Sequence, residues 1–144
     1  MTDTQTRLKI MREIALKADG FYERSETLGK IAAKAITNKH RSQVTNLESI
    51  ANSAIKVTDV LNYLKTQTAR KAYWCDREQL GPALLKEFNL NLAKDKDEIC
   101  KSLNLATDSG AAQQIHLYLI REFVRQFAAQ YEYECMTQPE ETES

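Results

Sequence analysis

The chain has 144 residues, of which 42% are hydrophobic and 28% charged, and its formal net charge is zero. This length suits one domain with its own core, and the composition argues against disorder along most of the chain. No apolar run is long enough to span a bilayer, and the charged N-terminus is unlike a secretory signal. Only 4 Gly and 2 Pro are present, which favours helices over a turn-rich β fold.

The cysteines Cys75, Cys100 and Cys135 are odd in number and far apart, so they form neither a disulfide framework nor a Cys-x-x-Cys metal pair. We therefore expect reduced thiols in a cytoplasmic protein that holds no metal and no cofactor.

Charge is distributed unevenly along the chain. Residues 1–75 carry 13 Lys or Arg against 7 Asp or Glu, a net of +6, and residues 76–144 carry 7 against 13, a net of −6. Such asymmetry indicates an anion-binding surface, or a basic face that meets the acidic face of another copy. Solvated helix faces with a chance imbalance are the alternative.

Apolar residues recur at helical spacing almost from end to end. The first helix is predicted to end near Gly20, and its apolar positions are Leu8, Met11, Ile14, Ala15 and Ala18. A second helix is predicted from Glu26. The third, from Ser42 to Tyr73 or Trp74, contains no Pro or Gly and is expected to be the longest and the spine of the domain.

The second half begins at Gly81-Pro82, where Pro82 suits a first helical turn. A short helix near 96–103 and a capping loop at 107–110 precede a last helix over about 111–135. The sequence thus predicts an all-α protein, a compact bundle of five or six helices with one long central helix. Residues 1–136 form the domain, and residues 137–144 are predicted to be a disordered acidic tail.

The chain carries no local signature of catalysis. His40 and His116 lie outside metal-ligand spacings, and the four glycines are isolated, so no phosphate-binding loop is present. The sequence therefore predicts no enzyme, although a small helical enzyme or regulator that uses His116 or Cys75 stays open as a third possibility.

Binding of a partner through the protein surface is the remaining class of function. Along the predicted spine, Tyr63, Gln67, Arg70 and Trp74 share one helical face. Lys71 lies beside that face and Lys65 near its edge. Cations interleaved with aromatic rings suit RNA phosphates and bases. Alternatively, the two aromatic residues pack against a neighbouring helix. Arg121 and Arg125 form a second cationic pair at i,i+4, a repulsive spacing that is consistent with an anionic partner.

Three segments resemble the small subunit of type III CRISPR effector complexes, in particular the Csm-type small subunit. They are 42–47 (SQVTNL), 61–70 (LNYLKTQTAR) and 123–133 (FVRQFAAQYEY), within a resemblance that covers roughly 41–136. The chain departs from that family at Ala69, where Gly is usual, and in its long N-terminal extension. The helical small subunit of Cmr-type complexes is an alternative relative.

The resemblance implies a non-catalytic subunit, stacked in several copies with other CRISPR effector subunits, that contacts guide RNA and target RNA without reading sequence and has no membrane role. Carried onto matching positions, it assigns backbone contacts to Arg70, Lys65 and Arg125. The residues themselves add Arg41, Lys71 and Arg121. The competing hypothesis is a helical protein–protein adaptor with no nucleic-acid role.

Overall fold

A computed structural model describes residues 4–75 and 79–137. These residues are 88% helical and contain no strand, which confirms the predicted all-α bundle. Six α-helices of the described part have eleven or more residues: α1 (Thr4–Gly20), α2 (Tyr22–Ala35), α3 (Ser42–Ser53), α4 (Val57–Arg70), α7 (Leu92–Ser102) and α8 (Gly110–Thr137). Two shorter helices are α5 (Ala72–Cys75) and α6 (Leu80–Lys86), a 3-10 turn covers Asn38–His40, and a π-helical turn, Glu87–Asn91, joins α6 to α7. Across residues 4–75 and 79–137, no helix combines the length and apolar character that crossing a membrane requires.

The long central helix is α8, at the end of the chain. It packs against α1, α2, α3, α4 and α7, and its buried side chains occupy most of its circumference. Ser109 caps its N-terminus, since the Ser109 Oγ accepts a hydrogen bond from the Ala112 N–H at 3.1 Å. The helix continues through Thr137, the first residue of the predicted tail, and residues 138–144 lie outside the described residues.

Four polar side chains of α8, spaced five residues apart, bind the backbone carbonyls of other helices. At about 100° per residue, each step of five turns the helix by about 140°, so successive side chains address different neighbours. Their acceptors lie where helices end or become irregular, which is where carbonyls lose intrahelical partners. The contacts are His116 Nε2 to Phe88 O at 2.8 Å, Arg121 Nε to Ala51 O at 2.8 Å, Gln126 Nε2 to Ala18 O at 3.1 Å and Tyr131 Oη to Ile36 O at 3.0 Å.

The predicted continuous helix from 42 to 73 is wrong. Residues 54–56 separate α3 from α4, because Ala54 and Lys56 adopt extended backbone conformations. Two interactions compensate for the helical hydrogen bonds lost there. The Asp59 carboxylate accepts a hydrogen bond from the Lys56 N–H at 3.4 Å, and Arg121 binds carbonyls at the end of α3. The first is a local capping signal that the sequence contains; the second is a long-range contact.

The N-terminal helices also differ from the prediction in detail. The buried face of α1 is formed by Ile10, Ile14 and Ala18, whereas Leu8 and Met11 are exposed. Helix α2 begins at Tyr22, one turn before the predicted start. It packs closely on α8, since a Cβ at Gly29 would lie 2.8 Å from the Phe127 carbonyl oxygen. Glycine at this position therefore sets the distance between the two helices.

Candidate nucleic-acid interface

Three of the six predicted cations, Arg41, Arg70 and Lys71, lie at one end of the α3/α4 hairpin. Because three residues connect these helices, α4 turns back and its C-terminus lies beside the N-terminus of α3. A contact between the ends supports this arrangement: the indole Nε1 of Trp74 lies 3.4 Å from Oε1 of Gln43. Arg70 and Lys71 at the end of α4 therefore share this end of the hairpin with Arg41. We call it the basic end of the hairpin.

Arg70 and Lys71 are exposed at this basic end. Arg70 is the last residue of α4, and Lys71 follows it in extended conformation. Within the described part of the chain, neither side chain has an ion-pair or hydrogen-bond partner. The surrounding C-terminal carbonyls of α4 favour positive charge. Two exposed cations that have no acidic partner among the described residues can contact a phosphate backbone without reading its bases.

Arg41 occupies the same end but is already engaged. Its guanidinium forms an ion pair with the Glu132 carboxylate of α8, and both side chains are partly exposed to solvent. A phosphate would have to compete with this carboxylate for the guanidinium. Arg41 therefore ties the hairpin to α8 and is less available to an anion than Arg70.

The predicted face of interleaved cations and rings is not formed. Helix α4 stops at Arg70, and the change of direction at Lys71 carries Trp74 into the core, where it is fully buried. Tyr63 and Gln67 remain half-buried on α4. An indole without exposed surface cannot stack on a base. The alternative interpretation of Trp74, packing against a neighbouring helix, is the correct one.

Lys65 is exposed but lies apart from the basic end. Five residues along α4 separate it from Arg70, which places the two about 140° apart around the helix. One straight phosphate backbone cannot follow both side chains along a single face of α4. Lys65 is available to solvent without being part of the same surface.

Arg121 has a structural role in the bundle. Besides its Nε contact with Ala51, its Nη2 donates to the Ala54 carbonyl at 2.9 Å, and the guanidinium lies 5.4 Å from the centre of the Tyr118 ring. These acceptors are the carbonyls at the end of α3 and in the break after it. The planar donor set of Arg suits two carbonyls at once. Its bonding capacity is largely used inside the molecule.

Arg125, one turn further along α8, is exposed. Its Nη1 forms a local ion pair with Glu122 Oε2 at 2.9 Å. This i,i+3 pair offsets the repulsion that the spacing from Arg121 suggested. The two arginines of α8 therefore have different surroundings although the sequence presents them as a pair.

Long-range ion pairs join the basic first half of the chain to its acidic second half. In the described part of the chain, each joins a cation of the first half to an acid of the second. Arg24 Nε lies 3.0 and 3.2 Å from the two carboxylate oxygens of Glu87, and Lys17 pairs with Glu98. The opposite charges of the two halves thus neutralise one another within one molecule, an arrangement that net charge alone does not reveal.

The Lys17 and Arg24 pairs border an open cleft of about 400 Å³ between α1, α2 and α7. Burial raises the pKa of Asp95, which lies 4.0 Å from Lys17 Nζ and 3.9 Å from Arg24 Nη2. The hydrogen bond from Lys17 lowers the pKa of Glu98. Both cations of this cleft already have carboxylate partners, so it is a poor site for an anion.

In the described part of the chain, both residues of the third hypothesis contact backbone carbonyls. His116 is buried, and one ring nitrogen is occupied by the Phe88 carbonyl of the π-helical turn. Burial lowers the pKa of His116 from 6.5. Cys75 is exposed on α5, and its thiol lies 3.9 Å from the Lys71 carbonyl oxygen. Over residues 4–75 and 79–137, no three His, Cys, Asp or Glu side chains group as metal ligands would.

Comparison with known proteins leaves the site to be judged on its geometry. No family model matches the chain, and neither a curated protein nor a solved structure matches it. The sequence predicted Arg70 and Lys71, which have no partner among the described residues, but it did not predict the carbonyl contacts of Gln126 and Tyr131. Their spacing of five residues was the available signal, and it does not correspond to a helical face.

Proposed function

We propose that this protein is a non-catalytic RNA-binding subunit of a type III CRISPR ribonucleoprotein, which contacts the RNA backbone through the basic end of the α3/α4 hairpin. The observation that carries the proposal is the exposure of Arg70 and Lys71 without an acidic partner in the described part of the chain. The sequence resemblance over 41–136 supplies the class of assembly. Arg41 is a secondary contact at the same end, and Lys65 and Arg125, which lie apart from that end, would contact another part of the RNA.

The affinity of a protein for a phosphate backbone depends on the salt concentration. Each phosphate contact releases counterions, so affinity falls with salt and the slope reports the number of contacts, at about 0.7 per contact for a single strand. Cations on flexible side chains do not discriminate between bases. Affinity for one copy is expected to be low, because stacked copies would act together on one RNA.

The test measures fluorescence anisotropy of two labelled single-stranded RNAs of unrelated sequence across a series of salt concentrations. The double variant Arg70→Glu, Lys71→Glu should lose affinity equally for both RNAs and reduce the salt slope by about 1.4, the value for two contacts. The matched control, Lys94→Glu with Lys101→Glu, changes net charge by the same amount at exposed positions of α7 and should bind like the unaltered protein.

Three results would contradict the backbone-contact function: no RNA binding at low salt, a loss restricted to one RNA, or an equal loss in the control. The CRISPR assignment has its own test, which is purification of the tagged protein from its native host with sequencing of the bound RNA. Short repeat-derived RNAs with partner proteins would support it.

The adaptor hypothesis is supported by a different observation. Leu8, Met11 and Leu16 expose apolar surface on α1, and exposed apolar surface is a feature of protein-binding sites. Purification from the host with protein partners and no RNA would favour that function.

A further inference from the structure

The outer face of α1 carries exposed apolar side chains that the bundle does not use. Leu8 is 62% exposed and Met11 49% exposed, and Ala15 next to them along the helix is also exposed. Ile10 and Ile14, which lie about 110° away around the same helix, are buried in the core. Helix α1 is therefore apolar over a wide arc, and the protein itself covers only part of that arc.

The exposed residues are spaced as one half of a helix–helix seam. Leu8, Met11 and Ala15 follow one another at three and four residues, the spacing of the apolar positions in packed helices. We call these three residues the outer seam of α1. Leu16, which is also exposed, follows Arg12 by one helical turn and borders the cleft near Asp95.

Two arginines flank the outer seam. Arg7 immediately precedes Leu8 and Arg12 immediately follows Met11, which places one cation on each side of the apolar line. Both are exposed, and neither has an acidic partner among the residues that the structure describes. The exposed acid Asp19 lies seven residues, about two turns, beyond Arg12. Residues in these flanking positions set the charge that a partner helix must carry.

We infer that the outer seam of α1 docks an α-helix of a partner protein whose own apolar seam is flanked by Asp or Glu. Charge complementarity identifies the partner: apolar contacts would bury Leu8 and Met11, and carboxylates on both sides would pair with Arg7 and Arg12. This surface is separate from the basic end of the hairpin, so the inference stands independently of RNA binding.

Two other occupants fit less well. A second copy that offered the exposed Tyr133 and Met136 of α8 would meet the arginines poorly, because the acids beside them are engaged, Glu132 with Arg41 and Glu134 with Gln130. An anionic membrane surface favours a broad face of large apolar residues, whereas Arg12 lies between the outer seam and Leu16 and interrupts such a face on α1.

The probe is a synthetic helical peptide of about four heptads with Leu at the seam positions and Glu at the flanking positions. A matched peptide carries Lys in place of Glu. Anisotropy of the labelled peptides is measured with the full chain, which should bind the Glu peptide at least about tenfold more tightly than the Lys peptide. The variant Arg7→Glu, Arg12→Glu should reverse this preference.

A second variant, Leu8→Ser with Met11→Ser, should abolish binding of the Glu peptide without loss of folding, because both side chains are exposed. Ile55→Ser, at an exposed apolar residue between α3 and α4, is the control and should bind normally. Equal binding of both peptides, no binding, or no effect of the seam variant would overturn the inference.

The other occupants give distinct overturning results. Sedimentation that reveals self-association, lost in the Leu8→Ser, Met11→Ser variant, would assign the seam to a second copy. Binding to phosphatidylserine-containing vesicles, lost in the same variant and without peptide binding, would assign it to a membrane. RNA binding through Arg70 is measured separately and should be unchanged in the seam variant.

Discussion

The two ends of the α3/α4 hairpin place basic residues in different surroundings. At the break between the helices, Arg121 reaches from α8 and binds carbonyls at 2.8 and 2.9 Å. At the other end, Arg70 and Lys71 face solvent without an acidic partner in the described residues. Both sets are basic residues that lie beside the end of a helix, Arg121 beside the end of α3 and the other two at the end of α4. They differ in whether another element brings acceptors within reach.

A cation is therefore more available to a ligand when no other element of the fold binds it. Arg24, Arg41 and Arg121 each have partners more than sixty residues away along the chain, which sequence spacing does not reveal. Arg70 has none among the described residues. This difference separates a structural role, which is measured as stability, from a binding role, which is measured as affinity.

The largest effect is expected at the break. Arg121→Ala would leave the Ala51 and Ala54 carbonyls without their donors, and we expect a loss of about 2 to 3 kcal/mol in the free energy of unfolding. Urea denaturation followed by circular dichroism measures it. Arg125→Ala, one turn away on the same helix, is the matched control and should change stability by less than about 0.5 kcal/mol. Equal losses in the two variants would remove the distinction between them.

A smaller effect is expected where α8 binds the end of α2. Tyr131 is fully buried, and its hydroxyl donates to the Ile36 carbonyl at 3.0 Å. Tyr131→Phe keeps the ring but removes the donor, so we expect a loss of about 1 to 2 kcal/mol in the free energy of unfolding. Tyr133→Phe on the exposed side of the same helix should be neutral. If Tyr131→Phe is also neutral in denaturation, the carbonyl contacts of α8 do not stabilise the bundle.

The smallest effect is a dependence of stability on pH. Burial lowers the pKa of His116, so the folded protein binds a proton there less readily than the unfolded chain. The stabilising contribution is complete above the unfolded value of 6.5 and declines as pH falls below it. Denaturation at a series of pH values should show this decline, and it should be weaker in His116→Gln, whose amide can still donate to Phe88. An identical pH profile in both proteins would contradict it.

Much of the secondary structure could be predicted because it is encoded locally. Apolar periodicity predicted the helical class. Gly20 predicted the end of α1, and the capping loop that contains Ser109 predicted the start of α8. The error at 54–56 has a physical cause, since no Pro or Gly marks the break and an arginine about seventy residues away compensates for it. Trp74 was misplaced because α4 ends at Arg70, again without a Pro or Gly to mark the end, whereas the predicted face required the helix to continue.

Sequence alone determined that this chain forms helices around one apolar core and carries more cations than acids in its first half. The tertiary structure decided which of those cations remain free. Lys17, Arg24 and Arg41 meet acids of the second half, and Arg121 meets carbonyls at the end of α3. Arg70, Lys71, Arg7 and Arg12 meet none within the described chain. Charge pairing acts over a few ångströms in space, and only folding brings distant parts of the chain that close.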